Sequence, residues 1–229
     1  MPTSRPSTPT QTSRADAVQP PSRRPGPAGG KRDTNRKERT QSLLSAGLRL
    51  FLARGVENVT VDEIAKEAGT AKGNFYRYAT DKQDLVEALV QPVDEAFDAA
   101  FKRCNEDSET ATSQTALTTV YMRLAFDLLE VLRNHPDTVR LYLQEAHAPA
   151  IGARIPIANF QQKLIAHAVR MTQVAHDKGL LKKIPPLVSA LAVMGAVERL
   201  LMAHLRDGLF DNPADAVRHL VRFVMEGMS

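Results

Sequence analysis

The stretch EAGTAKGNFYRYATDK, residues 67–82, decides the fold. The chain of 229 residues has no Trp and only 5% aromatic residues, yet three rings fall within Phe75-Tyr76-Arg77-Tyr78. With Phe75 turned toward a core, a helix over residues 71–79 points Gly73 and Arg77 outward and flanks them with Asn74 and Tyr76. Lys72 then lies in the exposed first turn. Just upstream, Thr60-Val61-Asp62-Glu63 reads as a capping box: the Thr60 hydroxyl accepts from the Glu63 N–H, and the Glu63 carboxylate from the Thr60 N–H. Val59 and Ile64 occupy the two staple positions around it. This first short helix carries Ile64, Ala65 and Ala68 inward and ends at Gly69. Two short helices across a glycine-containing turn, residues 60–79, make a helix-turn-helix.

The outward face of the second helix suits a major groove. Gly73 lets the backbone approach closely, Asn74 can pair bidentately with adenine, and Arg77 or Lys72 can address guanine. The hydroxyls of Tyr76 and Tyr78 and the ammonium of Lys82 can reach DNA backbone oxygens. Thr60 and Thr70 complete the candidate DNA-binding set. Helical bundles without a nucleic-acid partner also contain this geometry, so spacing alone leaves that alternative open. Charge favours DNA: residues 1–82 hold 15 Lys+Arg against 8 Asp+Glu, a balance of +7, whereas residues 83–229 hold 15 against 18, a balance of −3.

Working outward, residues 1–30 contain seven of the 14 prolines and no aromatic residue. Such a segment buries too little to offset the entropy of ordering, so residues 1–32 read as a disordered, basic, Pro-rich arm. Its Arg23-Arg24 and Lys31-Arg32 pairs can touch DNA, or the arm is a solubilising tail only. A helix capped near Asp33 or Thr34 is expected to run through Arg54, with Leu43, Leu44, Leu48 and Phe51 at helical spacing and Gly55 as its stop. Thr80 or Asp81 caps a fourth helix, which Pro92 kinks or breaks. Further helices are expected near 113–134, 136–147, 156–178, 186–207 and 213–227, separated by Pro/Gly-containing breaks. No alternating strand pattern occurs, so the fold class is all-α.

One cysteine, Cys104, excludes a disulfide framework, and it reads as an inert thiol or as a redox sensor. The six histidines lack a tight pair, so no metal is expected. No phosphate-cradling loop, nucleophile elbow or paired carboxylates point to an enzyme. Residues 1–30 lack the apolar stretch of a signal peptide. The most apolar later segment carries Glu198, Arg199 and His204, which argues for a buried helix over a membrane span. A cytoplasmic location without membrane attachment follows as the expectation.

Residues 36–90 closely resemble the DNA-binding domain of the TetR family of bacterial transcriptional regulators. The matching elements are Arg39, Leu43-Leu44, Ala46, Leu48 and Leu50-Phe51 of the first helix, then "TVDEIAKEAG" and "AKGNFYRY" closing with Lys82. There are departures: Ala79 stands where the family commonly has Phe, Asn74 replaces Thr or Ser, and Gly47 replaces Ala. The resemblance implies a DNA-binding domain over 33–90 and an all-helical ligand-binding and dimerisation domain over 91–229. It further implies a homodimer on palindromic double-stranded DNA, most simply a repressor, released when an effector moves the fourth helix and separates the reading heads. An architectural DNA-binding protein of the same fold without a ligand is the alternative, and its pocket would be filled by side chains.

Candidate positions in the body follow from the middle and last helices. Tyr121, Met122, Phe126, Tyr142, His147, Phe160, His167 and Met171 can face a pocket. The absence of a charged cluster favours an uncharged or amphipathic effector, and no cofactor is expected. The last two helices are apolar on more than one face, which supports pairing with a second copy through Leu187, Leu191, Met194, Leu201, Val217, Leu220, Val221 and Val224.

Overall fold

The computed structural model describes residues 31–228. The helices are α1 (Lys31–Arg54), α2 (Val61–Glu67), α3 (Lys72–Phe75), α4 (Lys82–Thr110), α5 (Gln114–Asn134), α6 (Pro136–Glu145), α7 (Ile155–Asp177), α8 (Pro186–Asp207) and α9 (Pro213–Met228). A 3₁₀ turn, Gly152–Arg154, precedes α7. No strand occurs among the described residues, and the all-α expectation holds. The expected arm lies outside the described residues, except that Lys31-Arg32 already belong to α1. Helix α1 is thus already present two residues before Asp33.

The start and stop signals work as written. Gly55 takes φ +81° and ends α1. Asp81 caps α4 by accepting from the Asp84 N–H, and the Asp84 carboxylate accepts from the Thr80 N–H. Two expectations need correction. The second helix of the pair is helical only over Lys72–Phe75, because bonding tightens to Asn74 O with Arg77 N and Phe75 O with Tyr78 N before the chain turns into α4. Pro92 does not break α4, which continues to Thr110. It lies on the exposed face, where water can reach the carbonyl it leaves unbonded. Leu85, Val86, Leu89, Val90 and Val93, all buried, hold the helix on both sides of it.

That helix is what joins the two parts. Its first half packs into one core with Leu43, Phe51, Val56, Val59, Ile64 and Phe75, and the same core continues through Phe101, Leu124, Tyr142 and Phe160. The expected division after residue 90 thus falls inside a helix shared by both sides. The approach of α1 to α4 is so close that a Cβ on Gly47 would stand 2.6 Å from Leu85 Cδ2. A side chain at residue 47 would therefore have to displace the end of the buried Leu85 side chain, which sets packing against the helix propensity that glycine costs. Beyond residue 93, α4 runs parallel to α7, as the pairs Asp94–Lys163 and Asp98–His167 step in the same direction. It runs antiparallel to α5, through Arg103–Asp127 and Asp107–Arg123. Helix α8 packs on α7, and α9 on α5. Among the described residues, α8 is the one helix long and apolar enough to cross a membrane, by length and composition. Here one face instead covers the interior of the bundle.

Candidate DNA-reading face and effector cavity

The reading element is built from short-range bonds. Thr60 Oγ accepts from the Glu63 N–H at 3.3 Å, and Glu63 Oε2 accepts from the Thr60 N–H at 2.8 Å. The Arg54 guanidinium donates to Glu63 Oε1 at 2.7 Å. These donors, Arg54 first, hold the Glu63 carboxyl down at about 2. Val59 and Ile64 are both buried, as the staple requires. Phe75 is fully buried and orients α3; burying a side chain of this kind contributes about 1.5–3 kcal/mol. Tyr76 packs edge-on against the Phe75 ring at 5.6 Å and remains 53% exposed.

Each candidate reading residue has a defined place. Gly73 and Arg77 are exposed, and the Arg77 guanidinium forms no ion pair with any described residue. Open space surrounds Gly73, so a backbone partner can come close. Asn74 donates through Nδ2 to Thr70 Oγ at 2.9 Å, which fixes the amide while leaving Oδ1 and one N–H for a partner. Lys72 pairs with Asp62 at 2.9 Å, and this bond raises its pKa. Tyr78 is half-buried against the core, and Thr60 is taken up in its cap. Lys82 departs most from expectation. Its ammonium points inward and donates to the carbonyls of Glu57 (3.3 Å) and Val59 (3.1 Å), locking α4 onto the loop before α2.

The body holds a partly open cavity of about 260 Å³. Tyr121, Tyr142, Phe160 and Met171 line it, as the sequence suggested, together with Phe97, Phe101 and Leu164 from α4 and α7. Four other candidates do not. Phe126 is 39% exposed, and Met122 lies outside the lining. His167 stacks on the outer side of Phe101 and bonds Asp98. His147 faces solvent and bonds Glu198 Oε2 at 3.1 Å. Of the expected dimer residues, Met194, Leu201, Val217, Leu220, Val221 and Val224 also line the cavity. Only Leu187 (53%) and Leu191 (49%) are largely exposed, beside Val188 on α8.

Sequence reasoning missed two polar clusters. Glu198 reaches the cavity, where the Tyr142 hydroxyl donates to its Oε1 at 2.6 Å. Burial, then this carboxylate, raises the Tyr142 pKa. Glu145, 4% exposed, accepts from Arg154 Nε at 2.6 Å through Oε2 and from the Val56 N–H at 3.2 Å through Oε1. Its neighbour Gln144 donates to the Phe51 carbonyl at 3.1 Å. A carboxylate in the middle of the most apolar helix was the available signal for Glu198. Nothing local marks Glu145, whose partners lie far along the chain. Burial raises the Cys104 thiol to about 11, which favours the inert reading. No group of metal-binding side chains occurs among the described residues.

Residues 43–89 match the family model described as bacterial regulatory proteins, tetR family. The chain is 29% identical over 113 residues to the uncharacterized HTH-type transcriptional regulator YuxN of Bacillus subtilis, a match covering 49% of this chain and 37% of that relative. The matched chain thus spans well under half of that relative's length. Among solved structures, NalD, the secondary repressor of the MexAB-OprM multidrug efflux pump in Pseudomonas aeruginosa, superposes with a TM-score of 0.66 at 18% identity, over 85% of this chain and 98% of that one. FadR from Bacillus subtilis, solved with stearoyl-CoA, superposes with a TM-score of 0.63 at 14% identity, over 82% and 99%. At these identities the structural matches carry the fold alone.

Proposed function

The chain belongs to the TetR family through its N-terminal domain, and from that premise we propose that it is a homodimeric, cytoplasmic repressor, released from a palindromic operator by a small apolar or amphipathic effector. The observation that carries this reading is that one continuous core joins an outward reading face to a partly open apolar cavity. Two helices run between them. Helix α4 places Leu85 and Val86 under the reading head and Phe97 and Phe101 on the cavity wall. Helix α6 places Tyr142 on the cavity and, three residues later, Glu145 on the Val56 N–H of the head. An occupant that shifts α6 or α4 changes how the head is held. It releases DNA only to the extent that it and the operator prefer different conformers.

The exposed Leu187, Val188 and Leu191 on α8, with Phe223 on α9, supply apolar surface for pairing with a second copy. Two reading heads then address half-sites about one DNA turn apart. Repression of an efflux pump by NalD and the stearoyl-CoA bound to FadR are consistent with a ligand-controlled repressor on this scaffold, by analogy of fold. The ligand-free architectural alternative called for a filled interior, and a cavity of about 260 Å³ counts against it.

Titration against the duplex flanking the protein's own gene, beside a scrambled duplex at several salt concentrations, tests the proposal. Tight binding, two chains per site, that the scrambled duplex does not match supports a sequence-specific repressor. Equal and steeply salt-dependent binding to both identifies backbone contacts only, and with them the architectural alternative.

A further inference from the structure

We propose that the cavity takes an apolar molecule whose polar end is neutral or positively charged, held by Glu198, and that it rejects free carboxylates. The inference rests on the cavity being the effector site and names the chemistry of its occupant. The walls are almost wholly apolar, with Phe97, Phe101, Phe160 and Leu164 among them, so an alkyl or aromatic body is favoured. No Lys or Arg lines it, and Glu198 is its one carboxylate. The Glu198 side chain is only 15% exposed, and its two oxygens accept from Tyr142 and His147. Each oxygen has a further lone pair for a ligand N–H or O–H. The buried Nδ1 of His204, on the same helix, has no hydrogen-bond partner and offers a second polar point.

A carboxylate entering this space brings a second negative charge into a poorly solvated volume, with no guanidinium or ammonium on the wall to receive it. Like charges at short range in low dielectric oppose binding strongly. A cationic or hydroxyl head does the reverse: it donates to Glu198 and competes with the Tyr142 hydroxyl. That competition loosens the link between α8 and α6, the helix that reaches the reading head.

Calorimetric titration with three probes of equal chain length, dodecylammonium, dodecanol and dodecanoate, each below its micelle concentration, tests this. The cation and the alcohol should bind about tenfold or more tighter than the carboxylate, a discrimination typical of one well-placed charge interaction. In Glu198→Gln, which keeps the size and an acceptor for Tyr142, the three affinities should draw together. Dodecanoate binding as tightly as the others to the wild-type protein would overturn the charge rule, whether or not the variant folds. Binding of none of the three would instead remove the cavity reading on which it rests.

Discussion

The reading head and the body solve opposite problems with the same helix α4. The head spends its sequence on local bonds: a capping box, a short turn and an amide fixed by a threonine four residues earlier. Its working groups therefore face outward on a rigid frame. The body spends its sequence on long-range packing, leaving a space inside whose walls come from six helices, α4 to α9. Local chemistry makes a site that binds something large, whereas distant packing makes one that encloses something small. The junction belongs to neither type. There Glu145 and Gln144 on α6 hold backbone groups of Val56 and Phe51, some ninety positions earlier in the chain.

The largest effect should come from removing the outward face. Asn74→Ala with Arg77→Ala is expected to cost about 2–6 kcal/mol of operator binding, the sum of two good base contacts. The thermal melting of the protein should not move, since neither side chain supports the core. Fluorescence anisotropy beside calorimetry checks both halves, and unchanged affinity would sink the reading face. Next is the junction. Glu145→Ala strands the Arg154 guanidinium and is expected to destabilise by about 3–5 kcal/mol. Amide exchange at Gly55 and Val56 should quicken with it; exchange unchanged there would mean that head and body are independent.

Gly47→Ala sets propensity against packing. Alanine gains about 1 kcal/mol in the helix, but a Cβ 2.6 Å from Leu85 Cδ2 should cost more, about 1–3 kcal/mol for overpacking. Net destabilisation in chemical unfolding is the expected result, and net stabilisation would show that α1 and α4 are free to part. The smallest effect is one of pH. Glu63 is held below its ordinary 4.5, at about 2, so its contribution is complete above pH 4.5 and is lost as the pH falls toward 2. Arg54→Ala should remove the largest share of that pH dependence, and Thr60→Ala a smaller one, because the backbone N–H of residue 60 still reaches the carboxylate; NMR of the α2 amides follows both.

These contrasts also explain what the sequence revealed. The caps at Thr60 and Asp81 and the anchor Phe75 could be read directly, because each depends on residues within four positions. Helix bounds in the body were legible to within a few residues from Pro, Gly and periodicity. Three features needed the packed structure. The inward turn of Lys82 depends on carbonyls of the preceding loop, and the continuity of α4 through Pro92 depends on core residues on both sides of the ring. Met194, Leu201 and Val217 read as a pairing face; that they also line the cavity follows from α8 and α9 lying over it, which no local pattern shows. Apolar periodicity shows that a face is buried and is silent on what buries it.

The central claim is that the cavity and the reading face are coupled in opposition. The most direct measurement follows the neutral apolar dye Nile red by fluorescence as it binds the protein, alone and with saturating operator duplex. Coupling should weaken dye binding by about 5–150-fold when the operator is bound, and the dye should weaken operator binding by the same factor. A scrambled duplex should have no effect. Dye affinity that stays the same, or rises, with the operator bound would contradict the account.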